Sequence, residues 1–202
     1  MRRVGALIFS GFELLDLFGP LEMFGLLSDR FDLQLVAETL DPVTSNQQVR
    51  SQPDRTFSDA GGFDILLVPG GSGTRQEVSN TPLLEWIRTA TTEAEYVLSV
   101  CTGSLLLAGA GVLDGRRATT NKAAFEKIAA QGPNVNWIRE ARWVEDGKFL
   151  TSSGVSAGMD MSLRAIAIMH GQETAEKVAV WSEYDWHQDP TWDPFAKIHG
   201  LV

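Results

Sequence analysis

The chain has 202 residues, with 17 lysines plus arginines against 26 aspartates plus glutamates, a net charge of −9. That acidic balance argues against nucleic acid as a partner, since phosphates demand a basic stripe, and against an anionic membrane surface. A single cysteine excludes an intrachain disulfide and a cysteine-rich zinc site, while 44% apolar and 21% charged residues are an ordinary globular balance with material for a sizeable core.

The N-terminal residues 1–9 are too short and too soon interrupted for a signal peptide, and no apolar run is long enough to span a bilayer. A cytoplasmic protein with one domain over residues 1–202 is the expectation. Residues 4–9 read as a buried strand bounded by Ser10-Gly11. A helix follows, with Pro20 placed in its first turn and Leu21, Phe24 and Leu27 on one face. Residues 32–38 alternate like a strand, and the polar, turn-rich residues 39–59 suit a small hairpin. Residues 63–68 form a second apolar strand, stopped by Pro69-Gly70-Gly71.

Thr81 as cap and Pro82 as first helical residue open a helix to about Glu93. Residues 96–100 are a third apolar strand that runs straight into Cys101. Helices are expected over 102–108, 121–131, 156–170 and 173–186, with a hairpin turning at Asp146-Gly147. Strands alternating with helices imply an α/β fold, a three-layer sandwich with a mostly parallel central sheet. Ligands in such folds sit at the carboxyl ends of the strands, here after Phe9, Val68 and Val100.

Cys101 stands where a strand meets Thr102-Gly103-Ser104 and a helix, the setting of a nucleophile elbow. The sharp turn demands small neighbours, which Ser99 and Gly103 supply, and a helix start favours the thiolate. An isolated cysteine is otherwise a small buried hydrophobe, but packing alone needs no elbow. Gly70 and Gly71 end the neighbouring strand, and their N–H groups are expected to approach substrate closely and, with the Thr102 N–H, to stabilise developing charge. Asp16, flanked by Leu14-Leu15 and Leu17-Phe18, is poorly solvated. It is either a helix-start aspartate or, beside a thiolate, a protonated donor with a raised pKa. His170 closes a helix and suits an interaction with its last carbonyls. The spacing around His187 matches no metal ligand set, and Trp181, Trp186 and Trp192 suggest tail packing and a subunit interface.

Gly19-Pro20-Leu21-Glu22-Met23-Phe24 after Asp16, the strand 64–71 and Ser99-Val100-Cys101-Thr102-Gly103-Ser104 together resemble the ThiJ/PfpI superfamily. The likeness continues through residues 108–120, 151–160 and Glu183-Tyr184. It implies the flavodoxin-like, class I glutamine amidotransferase-like fold, and homodimers are usual in that superfamily. Aspartate at position 16, where most members carry glutamate, and Thr102, where the protease branch carries histidine, resemble its isocyanide hydratases; Asn121 stands where relatives often carry histidine. The resemblance implies a cofactor-free, metal-free hydration of a small-molecule isocyanide, with Cys101 as nucleophile, Asp16 as general acid and base, and Thr102 orienting substrate and water. The readings held beside it are a redox sensor that oxidises Cys101, and a glyoxalase or deglycase acting on reactive carbonyls.

Overall fold

The computed structural model describes residues 1–59 and 61–202. The chain runs from β1 (Arg2–Leu7) into α1 (Leu14–Gly25), β2 (Phe31–Ala37), a small hairpin of β3 (Val43–Thr44) and β4 (Arg50–Ser51), then β5 (Arg55–Thr56) and β6 (Ile65–Val68). A single turn, α2 (Thr74–Glu77), precedes α3 (Thr81–Glu93), β7 (Tyr96–Ser99), α4 (Gly103–Gly109) and β8 (Arg117–Ala118). Then come α5 (Phe125–Gln131), β9 (Asn136–Trp137), β10 (Trp143–Asp146), β11 (Phe149–Ser152), α6 (Ala157–His170), α7 (Gln172–Trp181) and α8 (Pro194–Ile198).

The strand order is β10-β11-β7-β6-β1-β2-β5, with every pairing parallel except β10 on β11 at one edge. The apolar runs fill the centre of this sheet because both of its faces are covered. All four residues of β6 are fully buried, and Val97 and Leu98 of β7 are too. Leu17, Phe24, Leu106, Ile87 and Ile166 bring helices from both sides onto it. The α/β sandwich with a mostly parallel middle layer is therefore as expected.

The local differences have physical causes. Pro20 lies inside α1, not in its first turn. It has no N–H to give the Asp16 carbonyl, a local penalty of about 3 kcal/mol that the buried face of the helix must offset. Asn80, not Thr81, caps α3: its side-chain oxygen accepts the Leu83 N–H at 3.2 Å, leaving Pro82 one position further in. The helix expected from 121 begins only at Phe125, and the one expected to reach 186 ends at Trp181, where Glu183 takes a positive φ of 49°. In the β10–β11 hairpin the loop is Gly147-Lys148, with only Gly147 at positive φ. The short elements α2, α8, β5, β8 and β9 carry too few residues to show a period in the sequence.

Candidate active site

Cys101 has φ = +56°, the left-handed region that a side chain rarely adopts. Strain of about 1–3 kcal/mol persists only where the surroundings over-determine it. Here they do. The Cys101 N–H donates to the Ser153 carbonyl at 3.1 Å, and its own carbonyl accepts from Thr120 Oγ1 at 2.9 Å and Ser104 Oγ at 3.1 Å. The expected small neighbour is required too, since a Cβ on Gly103 would stand 2.2 Å from the Val68 carbonyl oxygen. The elbow geometry expected between strand and helix is present.

The fold brings the sequence-derived residues together. Asp16, fully buried on α1, accepts the Gly70 N–H at 3.0 Å through Oδ2. A Cβ on Gly70 would meet the Thr102 nitrogen at 2.6 Å and Asp16 Oδ2 at 2.8 Å, so only glycine lets these chains close on one another. The Cys101 thiol and the Val155 N–H approach the same carboxyl. Its Oδ1 has no hydrogen-bonding partner of good geometry among the described residues. Burial first, and then the nearby Glu13 charge, push the Asp16 pKa up to about 7.

The thiol departs from the expected low pKa. Burial and then the Asp16 charge push Cys101 well above the ordinary thiol value; polar contacts from the Thr102 N–H and the Asn121 side chain pull the other way. The helix behind the thiol, α4, is only seven residues long, and burial outweighs what its start can give. The pair therefore resists double ionisation and holds a proton at neutral pH.

The glycine amides are also differently engaged. The Gly70 N–H is committed to Asp16, and the Gly71 N–H donates to Thr102 Oγ1 at 3.0 Å. Both amides expected to face a ligand thus hold the site together. The Thr102 hydroxyl, which also accepts from Thr74 Oγ1 at 3.2 Å, is part of that bracing. The Thr102 N–H remains directed at the sulfur.

Cys101 opens into a cavity of about 660 Å³. One wall is apolar, with Leu105, Ile128 and Val155; the rim is polar, with Glu13, Asn46 and Arg75. Asp16 lies beneath Cys101 and does not line it. None of the lining residues is a histidine. His170 sits edge-on to the Phe31 ring at 5.3 Å, not against helix carbonyls, and His199 borders an adjoining cavity of about 220 Å³. The His187 backbone N–H binds Asp160, and among the described residues no group of three or more His, Cys, Asp and Glu side chains is placed to hold a metal. Trp186 packs inward, donating to the Asp160 carbonyl at 3.2 Å, whereas Trp181 and Trp192 are about half exposed.

Two further residues, one at the sulfur and one at the Asp16 carboxyl, carry no role in the sequence alone. Asn121 lines both cavities. Val155, a β-branched residue held at φ = +48°, turns its N–H toward Asp16. Neither has a local pattern that marks a role, because Asn121 reaches the thiol, and the Val155 N–H reaches Asp16, from loops distant in sequence.

The DJ-1/PfpI family model matches residues 2–168. A protein named isonitrile hydratase from Pseudomonas putida is 37% identical over 182 residues, covering 90% of this chain and 78% of that protein. A Parkinson disease protein 7 homolog from Danio rerio is 29% identical over 142 residues, covering 68% of this chain and 74% of that one. The crystal structure of a ThiJ/PfpI family protein from Pseudomonas syringae aligns with a TM-score of 0.85 at 35% identity, covering 91% of this chain and 75% of that chain. No helix among the described residues is long and apolar enough to cross a membrane. With its elbow cysteine and parallel sheet, the chain belongs to the DJ-1/PfpI family.

Proposed function

We propose that the protein is an isocyanide hydratase that uses Cys101 as nucleophile and Asp16 as its proton carrier. The observation that carries this reading is a buried thiol beside a buried carboxyl with a pKa near 7, in a cavity whose lining has no imidazole. Hydrolysis of a peptide or amide by cysteine wants a neighbouring histidine as base. Adding S–H across a carbon wants a proton delivered to that carbon, which a carboxyl near pH 7 can give.

In the first step the sulfur forms a bond to the terminal isocyanide carbon and Asp16 gives that carbon a proton, while the thiol proton returns to Asp16. The product is a thioimidate, R–N=CH–S–Cys101. Asp16, protonated again, gives that proton to the nitrogen and takes one from water as the water oxygen bonds to the same carbon, leaving R–NH–CH(OH)–S–Cys101. The C–S bond then breaks as Asp16 gives its proton to the sulfur and takes the hydroxyl proton in turn, and R–NH–CHO leaves. One water is consumed, and no electrons enter or leave. Thr102 positions the sulfur through its N–H, while Gly70 and Gly71 hold Asp16 and Thr102 in place.

The buried, high-pKa thiol is a poor starting point for a peroxide sensor, which works through an exposed thiolate. The test is N-formamide formation from a simple alkyl or aryl isocyanide. Cys101→Ala should reduce it to the uncatalysed rate, and Asp16→Asn should lower turnover by about 10²–10⁴-fold. Wild-type protein that forms no formamide but consumes methylglyoxal would replace this reading with the glyoxalase one.

A further inference from the structure

The Gly70 and Gly71 amides are committed within the protein, so the donors that face the reacting sulfur come from elsewhere. One is the Thr102 N–H. The other is a side chain. Asn121 is fixed by the Ala124 N–H, which donates to its Oδ1 at 3.0 Å, and this leaves Nδ2 as the free end of the carboxamide. Its position is tightly set: a Cβ on Gly154 would be 2.5 Å from Nδ2. Among the described residues no oxygen accepts a hydrogen bond from Nδ2. The same side chain borders the Cys101 cavity and the smaller cavity beside it, so it stands where substrate passes the sulfur.

We propose that Asn121 is a catalytic residue: one N–H of Nδ2 donates to the Cys101 sulfur, and the other faces the substrate nitrogen in the cavity. This rests on the hydratase reading for the substrate, but not for the contact with sulfur. During attack the first N–H favours negative charge on sulfur. When water adds to the thioimidate carbon, the electron pair of the C=N bond moves to nitrogen, and the second N–H stabilises that charge until nitrogen is protonated. On release the C–S electron pair returns to a sulfur that already has a donor. A carboxamide can give and hold a hydrogen bond but cannot carry a proton away, so proton transfer stays with Asp16.

The experiment follows Cys101 alkylation by iodoacetamide against pH, alongside formamide formation, in Asn121→Asp, Asn121→Ala and Asn121→His. Asn121→Asp keeps an oxygen for the Ala124 N–H and so preserves the local fold, but it replaces the donor with an acceptor. Its alkylation rate at pH 8 should fall by at least about 10-fold, with the pH profile displaced upward. Asn121→Ala should show the same displacement without added charge, and formamide kcat should fall by about 10²-fold with KM little changed, as for loss of one oxyanion donor. Asn121→His, which restores an N–H, should recover much of the alkylation rate. Folded Asn121→Asp and Asn121→Ala proteins with wild-type alkylation profiles would overturn the assignment. Displaced profiles in a protein that forms no formamide would keep the sulfur donor and remove the hydratase reading instead.

Discussion

Asp16 and Asp160 are both fully buried aspartates on helices that cover the sheet, yet their surroundings are opposite. Asp160 Oδ2 is clasped by Arg142, with Nη2 at 2.6 Å and Nε at 2.7 Å. Its Oδ1 accepts from the Tyr184 hydroxyl and the His187 N–H, each at 3.0 Å. Burial raises its pKa above the ordinary value, and Arg142 first, then Tyr184 and His187, offset part of that rise. Asp16 has one N–H donor of good geometry, no cation and a negative neighbour in Glu13. Equal burial thus serves two ends. Around Asp160 the charge is satisfied and fastens the segment after α7 to the core. Around Asp16 it is left uncompensated, which is what makes that carboxyl able to move a proton near neutral pH.

Removing each carboxylate should therefore have opposite effects. Asp160→Ala leaves Arg142 buried without its partner and should cost about 3–5 kcal/mol of unfolding free energy, read by urea denaturation. A loss under 1 kcal/mol would mean that the clasp holds nothing. Asp16→Asn should instead stabilise. The folded pKa of about 7 lies above the ordinary 3.8, so the folded protein holds this proton more tightly than the unfolded chain. The native state is therefore progressively destabilised as pH rises through that window, by up to about 4 kcal/mol above it. The advantage of Asp16→Asn over wild type should be near that value at pH 8 and about half of it at pH 5.5. An advantage independent of pH would show that Asp16 is compensated after all.

Two smaller changes sharpen the contrast. Gly103→Ala forces a Cβ against the Val68 carbonyl beneath the strained cysteine, and should cost about 1–3 kcal/mol while displacing Cys101. Wild-type stability together with wild-type alkylation of Cys101 would show that the elbow has room to spare. Tyr184→Phe removes one of several donors to Asp160, and should cost only about 1 kcal/mol. A cost as large as that of Asp160→Ala would make the hydroxyl, not Arg142, the centre of the clasp.

Much of the site is legible in the chain. Cys101 follows an apolar strand and precedes a small residue, Gly70 ends the neighbouring strand, and Asp16 lies among leucines and a phenylalanine. Each signal is local: a run of apolar residues, a glycine where no Cβ fits, a carboxylate without polar neighbours. A first-turn position is the ordinary one for a helix proline, and only packing of α1 on the sheet and α6 lets Pro20 remain in mid-helix. Asn121 stands out only through the resemblance, as the position where relatives often carry histidine, and Val155 not at all, because nothing nearby in sequence gives either residue a role.

The alternation of apolar strands with helices thus determined the fold class, and the lone cysteine on its strand-to-helix turn the nucleophile candidate, since apolar periodicity and turn sterics act between near neighbours. The tertiary structure alone decided the protonation of the pair and the use of the donors. A thiol's pKa depends on burial, on the Asp16 charge brought close from α1 and on donors such as the Asn121 side chain. An amide expected to face substrate can be committed to a side chain dozens of residues away, as the Gly70 N–H is to Asp16.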